Sequence, residues 1–208
     1  MKSPYLVEHM FLALVALVSV AGFWTLYLGP GADPNGYHHL HLGTNLAWLA
    51  LLAWQLRLIA TREFRVHRRM GLAVLAMGPL LFASAAMLSV HSARKGLASG
   101  QGDFLIVQNV MVTLQLGLFL WLAFLLRKRR ALHGAFLLGT GVFFFGIALF
   151  FSLISFVPAF RIEGPETFYR FATAGMAGQS ACLALGLLMW LRAFRTGWPY
   201  LLAALCFP

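Results

Sequence analysis

The stretch 131–157, ALHGAFLLGTGVFFFGIALFFSLISFV, contains 27 residues and no Asp, Glu, Lys or Arg. An α-helix needs about 20 apolar residues to cross the hydrocarbon core of a bilayer. In lipid, only helices and closed barrels satisfy all their backbone hydrogen bonds, and this stretch lacks the alternating pattern of a barrel strand. It therefore predicts a membrane-spanning helix.

Five further stretches pass the same test of length and apolarity: 6–28, 40–59, 70–90, 104–126 and 171–191. Only 11% of the 208 residues are charged, against about 25% in a soluble domain. We expect the first stretch to be retained, because its apolar run is longer than the core of a signal peptide. The sequence thus predicts an all-α bundle of six transmembrane helices, with a single domain over 1–208.

The charges between the spans predict an orientation. Connections on one side of the membrane carry twelve Lys and Arg against two carboxylates, and those on the other side carry four against four. Because Lys and Arg accumulate on the cytoplasmic side, both chain ends are predicted to be cytoplasmic (N-in/C-in) in a bacterial inner membrane. The net charge of +10 is assigned to this asymmetry, so no nucleic-acid partner is expected. The apolar ending 197–208 is expected at the cytoplasmic interface or docked on the bundle.

Polar and small residues within the spans predict which faces meet. Five residues of the second span are spaced by three, four, three and seven positions and therefore lie on a single helical face. They are His38, His41, Asn45, Trp48 and Gln55. Small residues recur every fourth position in the sixth span, at 174, 178, 182 and 186, which favours close helix contact. The core of every predicted span lacks Asp, Glu and Lys, which argues against a proton-driven transporter or a retinal protein.

The histidines suggest a ligand site. His38, His39 and His41 open the second predicted span and His91 closes the third, so antiparallel neighbours would bring all four to the outer face. His41 and His91 could be axial ligands of haem b, with His38 beside them. Alternatively, these histidines, helped by Asp33 or Glu163, could supply three or four ligands to a transition-metal ion such as zinc, copper or iron. A weaker second site at the inner face would pair His9 with His133.

Three functions follow from these alternatives, and no catalytic residue is assigned. With haem b or a metal, the protein would act in electron transfer with a quinone or another membrane redox partner. Without any cofactor, it would be a non-catalytic assembly factor, sensor or small-solute carrier whose histidines lie at the headgroup level. The third alternative is a metal-dependent membrane hydrolase or hydroxylase with Glu163 or Glu166 as base.

Two short groups carry a resemblance to known proteins. Gln55-Leu56-Arg57 at the end of one span and His67-Arg68-Arg69-Met70-Gly71 opening the next resemble an uncharacterised family of bacterial multi-pass membrane proteins. The resemblance covers about a third of the chain and implies a bacterial inner-membrane protein. The histidines at helix ends also loosely resemble those of di-haem cytochrome b membrane proteins, although those proteins place their ligands deeper and in stacked pairs.

Overall fold

A computed structural model of the chain describes residues 5–29, 32–99 and 102–206. Within these ranges every regular element is helical, and eight α-helices are present. They are α1 (Leu6–Leu28), α2 (Gly36–Ala60), α3 (Phe64–Gly71), α4 (Val74–Ser99), α5 (Gly102–Leu125), α6 (Arg130–Phe156), α7 (Tyr169–Arg192) and α8 (Trp198–Cys206). Two single 3-10 turns, Pro158–Phe160 and Pro165–Thr167, connect α6 to α7.

Six of the described helices are long and apolar enough to cross a membrane: α1, α2, α4, α5, α6 and α7. The predicted all-α architecture with six spans is therefore confirmed, and the chain is a multi-pass membrane protein. Lys2, which contributed to the predicted charge asymmetry, lies outside the described residues, as do Phe207 and Pro208 at the end of the predicted tail.

The third span differs from its prediction at both ends. His67 to Gly71 do not open it, because they belong to the separate helix α3, and α4 begins only after the turn at Leu72 and Ala73. At the other end, α4 continues to Ser99, because 91–99 contain no proline that would stop the helix. His91 therefore lies two turns before the end of α4, and the prediction that it closes the span is wrong.

The chain folds into two compact units. Unit 1 comprises 1–13 and 34–120, and unit 2 comprises 14–33 and 121–208. Helices α2, α3 and α4 belong wholly to unit 1, and α6, α7 and α8 belong wholly to unit 2.

Unit 1 is built around the packing of α2 against α4. Trp48 of α2 and Leu81 of α4 are fully buried in its core. Helix α2 ends in a Schellman motif, in which Glu63 N–H donates to Leu58 O (2.8 Å) and Arg62 N–H to Ile59 O (3.1 Å). Arg62 adopts φ 62°, a left-handed conformation at the position that glycine usually occupies in this motif. This turn leads the chain into α3.

Unit 2 is built around α6, whose side chains are buried almost without interruption from Ala135 to Phe143. The predicted small-residue face of α7 is confirmed, because all four of its residues are buried: Ala174, Gly178, Cys182 and Gly186. A Cβ added to Gly186 would lie 2.8 Å from the carbonyl oxygen of Tyr200 in α8. The small residues therefore admit two neighbours, since both α6 and α8 pack on α7.

Helix α8 docks on α6 and α7, which confirms the docking alternative predicted for the tail. Pro199, Tyr200, Ala203 and Ala204 are buried in this contact. Near its end, the Ala204 carbonyl accepts a 2.9 Å hydrogen bond from Gln179 Nε2. Gln179 precedes the end of α7 by 13 residues, or about 20 Å of helix. Helix α8 thus runs back along α7 to a depth well inside the span.

Candidate functional site

The candidate site lies in unit 1, where the first two turns of α2 meet the second half of α4. His38, His39 and His41 come from α2, and His91 comes from α4. The connection through α3 makes α2 and α4 antiparallel, so the start of α2 faces the part of α4 that contains His91. The predicted approach of the start of α2 to the His91 region of α4 is thus observed, although α4 extends further than predicted; a shared ligand site there stays a prediction.

Asn35 organises this neighbourhood as the N-cap of α2. Its Oδ1 accepts hydrogen bonds from the backbone N–H groups of Tyr37 (3.1 Å) and His38 (3.3 Å). Its own backbone N–H donates to His38 Nδ1 at 3.2 Å, which completes a capping box with histidine in the place usually taken by Glu or Gln. Asn35 Nδ2 lies 3.1 Å from Nε2 of His91. One residue therefore contacts both imidazoles.

These bonds assign the protons of the two imidazoles. Because the two backbone N–H groups occupy Asn35 Oδ1, the group that faces His91 must be the amide NH₂, which can only donate. His91 Nε2 is then an acceptor, and the proton of the neutral ring sits on Nδ1. By the same reasoning His38 Nδ1 is an acceptor, and its ring proton sits on Nε2. Both bonds require a neutral imidazole.

Ring contacts hold His91 in place. The Tyr37 ring stacks on it with centroids 5.2 Å apart, and the His38 ring meets it edge to face at 5.6 Å. We call Asn35, His38 and His91 the Asn35 clasp, since together they join the start of α2 to α4.

His41 has a different environment, formed by two buried hydroxyl groups. Its Nδ1 lies 3.4 Å from Ser84 Oγ, which in turn lies 2.7 Å from Thr44 Oγ1. Ser84 donates to the Leu81 carbonyl, and Thr44 donates to the carbonyl of His41 itself. The two hydroxyl protons already have three acceptors, namely the two carbonyls and the partner hydroxyl, so neither is left over for His41. His41 Nδ1–H is therefore the donor best placed to fill the contact with Ser84. His41 Nε2 then keeps its lone pair, and no described residue bonds to it.

The remaining predicted ligands are His39, His9 and His133. His39 is exposed, as expected from its rotation of about 100° away from the His38–His41 face. His9 Nδ1 contacts the carbonyl of Tyr5 (2.8 Å), and His133 Nδ1 contacts that of Ala123 (2.8 Å). Across the described ranges, no group of three or more His, Cys, Asp or Glu side chains is arranged to hold a metal ion.

The residues present fit a haem or metal ligand at one position. His41 offers a free Nε2 while its Nδ1 is held by Ser84, the arrangement that orients ligating histidines. His91 and His38 fit less well, because Asn35 already uses the lone pairs of His91 Nε2 and His38 Nδ1.

Three residues of this site were missed in the sequence. Asn35 had a usable signal, since an asparagine directly before a helix start is a preferred N-cap. Thr44 lies three residues after His41 and so falls on the same face of α2. Tyr37 carried no signal that distinguishes it from an ordinary interfacial aromatic residue. Comparison of the chain with protein-family models, curated proteins and solved structures found no match.

Proposed function

We propose that the protein is a non-catalytic, proton-responsive membrane sensor and that the Asn35 clasp is its switch. The supporting observation is that one asparagine donates to two imidazoles at once. Imidazole is the side chain whose charge ordinarily changes between about pH 5 and pH 8. Protonation of His91 would place its Nε2–H group opposite the side-chain amide N–H of Asn35, and the hydrogen bond between them would be replaced by a repulsive contact.

The charges around the clasp favour its opening once a proton arrives. His39 lies on α2 next to His38, and Lys95 lies one turn beyond His91 on α4, close enough to act on the charge of His38. Arg94 follows on the same stretch of α4 and is exposed. The Asp103 side chain lies outside the described residues. A protonated clasp would therefore gather positive charges around two adjoining rings, which repel one another.

The expected consequence is a separation of the start of α2 from the second half of α4. The bond from Asn35 and the ring contacts of Tyr37 and His38 join these segments near His91. Further along, the buried Thr44–Ser84 contact contains no titrating group and would keep the two helices together. In the proposed N-in/C-in orientation, the clasp faces the periplasm and would respond to its pH.

Distance measurement between spin labels tests this function. Labels at positions 40 and 98, which are exposed and carry no charge, would be introduced after replacement of Cys182 and Cys206 by Ala. We expect the label separation to increase when the pH falls from about 8 to about 5. His91→Gln supplies an uncharged acceptor close to the position of Nε2 and should keep the short distance at both pH values. If the native clasp shows the same distance at both pH values, the sensor proposal is wrong.

A redox function is the second candidate, and the geometry of His41 favours it. A ligating histidine usually has one ring nitrogen held by a hydrogen bond and the other free, as His41 has. A haem b or transition-metal ion bound there would supply one-electron chemistry for a lipid-soluble partner such as a quinone. The chain's own contribution would be to orient the His41 ring through Ser84 and Thr44 in a buried, polar setting.

Difference spectroscopy tests this candidate. Protein produced with haem and metals supplied would be purified in detergent, and the dithionite-reduced minus oxidised spectrum recorded together with its metal content. The redox function predicts a haem α-band, or stoichiometric metal, that is lost in His41→Ala and kept in His39→Ala. Absence of both signals from the unmodified protein would exclude this candidate and leave the sensor proposal untouched.

A further inference from the structure

Helix α3 is a short connecting helix that lies where α2 leaves the membrane and α4 enters it. It comprises Phe64–Gly71, and none of its side chains is buried. At 100° per residue, Arg65, Arg68 and Arg69 fall within one arc of about 100°, whereas Val66 and Met70 fall on the other side. Phe64, Val66 and Met70 are exposed apolar side chains. An eight-residue helix with these two faces at a membrane boundary has the form of an interfacial helix.

The cationic face of α3 has no anionic partner among the described residues. Arg65, Arg68 and Arg69 are all exposed, and none of them forms an ion pair there. Glu63, the nearest carboxylate along the chain, accepts a hydrogen bond from Thr61 (3.0 Å). Like charges at i, i+3 and i+4 destabilise a helix. The isolated helix therefore carries a repulsion that an external anion would remove.

A fourth arginine, Arg62, precedes α3 by two residues at a position whose backbone disfavours it. Arg62 has φ 62°, a conformation that glycine adopts without strain and other L-residues do not. The chain thus places a guanidinium next to α3 where an uncharged glycine would suit the backbone better. This observation is independent of the spacing within α3, and it points to the same need for positive charge.

We propose that the basic face of α3, formed by Arg65, Arg68 and Arg69, is a binding site for the headgroup phosphate of an anionic phospholipid. Guanidinium groups bind phosphate oxygens through paired N–H donors, which distinguishes them from lysine. The apolar side chains of Val66 and Met70 would enter the boundary between headgroups and acyl chains. Lipid binding would therefore stabilise α3 and fix the connection between α2 and α4.

The experiment measures the association of spin-labelled phosphatidylglycerol with the full chain in phosphatidylcholine nanodiscs. The test variant carries R65Q, R68Q and R69Q. The matched control carries R127Q, K128Q and R129Q, which removes the same charge from the exposed connection between α5 and α6. This control suits the purpose because Arg127 already stacks on Phe124 (4.6 Å) and bonds to its carbonyl. A third variant, R65K/R68K/R69K, keeps the charge and removes the paired donors.

We expect the test variant to lose about tenfold or more in relative affinity for phosphatidylglycerol, given the contribution of each basic residue near an anionic surface. The control should stay close to the unmodified protein, and the lysine variant should lie between the two. Equal losses in test and control variants would show that only the total charge matters, which overturns the proposal. So would an unmodified protein with no preference for phosphatidylglycerol. Circular dichroism of each variant would establish that the helices are retained.

Discussion

The side-chain amide of Asn35 lies 3.1 Å from Nε2 of His91, although 56 residues separate the two in sequence. The bond joins the cap of α2 to the second half of α4. It has a defined direction, because backbone N–H groups of Tyr37 and His38 already occupy Asn35 Oδ1. His91 is therefore the acceptor in a bond that exists only while its ring is neutral.

Replacement of His91 by Gln should remove a pH dependence of stability. In the unmodified protein the bonds that Asn35 donates need the lone pairs of His38 Nδ1 and His91 Nε2, so protonation of either ring removes a contact of the folded state. The thermal unfolding midpoint in detergent should therefore fall between about pH 8 and pH 5. His91→Gln should flatten this profile, whereas His39→Gln, which removes only a neighbouring charge at an exposed histidine of α2, should flatten it less. Parallel profiles for the two variants would contradict the assignment.

Replacement of Asn35 by Asp should reverse the pH dependence. Aspartate keeps the acceptor for the cap of α2 but presents a carboxylate to His91, which pairs with the protonated ring. Stability should then rise as the pH falls through the imidazole range, until the carboxylate itself is protonated. Asn35→Ala removes both functions and should lower the free energy of unfolding by about 1–3 kcal/mol at neutral pH. An Asp variant that follows the unmodified profile would argue against the bond to His91.

Replacement of Arg62 by Gly should stabilise the turn between α2 and α3. The left-handed backbone conformation of Arg62 costs about 1–2 kcal/mol, and glycine would avoid this cost. Glycine also gives the unfolded chain greater conformational freedom, which offsets part of the gain. We expect a net increase of roughly 0.5–1 kcal/mol in the free energy of unfolding. Arg62→Ala removes the same charge but retains the strain, so it should show no such increase. Equal effects of both changes would assign the result to charge.

Replacement by alanine should destabilise the protein at one glycine of α7 and be tolerated at another. A Cβ on Gly186 would lie 2.7 Å from Ala204 Cβ, whereas a Cβ on Gly175 would meet nothing within 4 Å. Gly186→Ala should therefore displace α8 and cost about 1–3 kcal/mol, while Gly175→Ala should be tolerated. Hydrogen exchange of the α8 amides would report the difference, with faster exchange only in Gly186→Ala. Slow exchange in both variants would mean that α8 adjusts to the added methyl group.

The proposed orientation predicts the accessibility of two connections. In a background without Cys182 and Cys206, a cysteine at position 33 should react with a membrane-impermeant thiol reagent added from the periplasm. A cysteine at position 129 should react only after the membrane is opened. Both positions are exposed, so burial would not prevent labelling. The reverse pattern would show that the chain is inserted the other way round.

Features that depend on local composition were predictable, and those that depend on register were not. The small residues of α7 could be identified from their spacing, and all four are buried. By contrast, nothing in the spacing indicated that Gln179 would bond to the Ala204 carbonyl, because this contact requires α8 to turn back along α7. The sequence did not predict α3, which lies within a charged connection, because eight residues are too few for periodicity to define a helix.

The sequence by itself determined that this chain crosses a membrane six times through α-helices. That conclusion rests on the length of each apolar run and on the need to satisfy every backbone group in lipid, which are properties of single segments. It also indicated that His38, His41 and His91 lie near one another. Only the tertiary structure decided that Asn35 engages His38 and His91, whereas His41 faces Ser84. Those partners depend on the rotation and axial register of α2 against α4 to within about an ångström. Apolar composition does not determine this rotation or this register, because lipid solvates most faces of a spanning helix equally well.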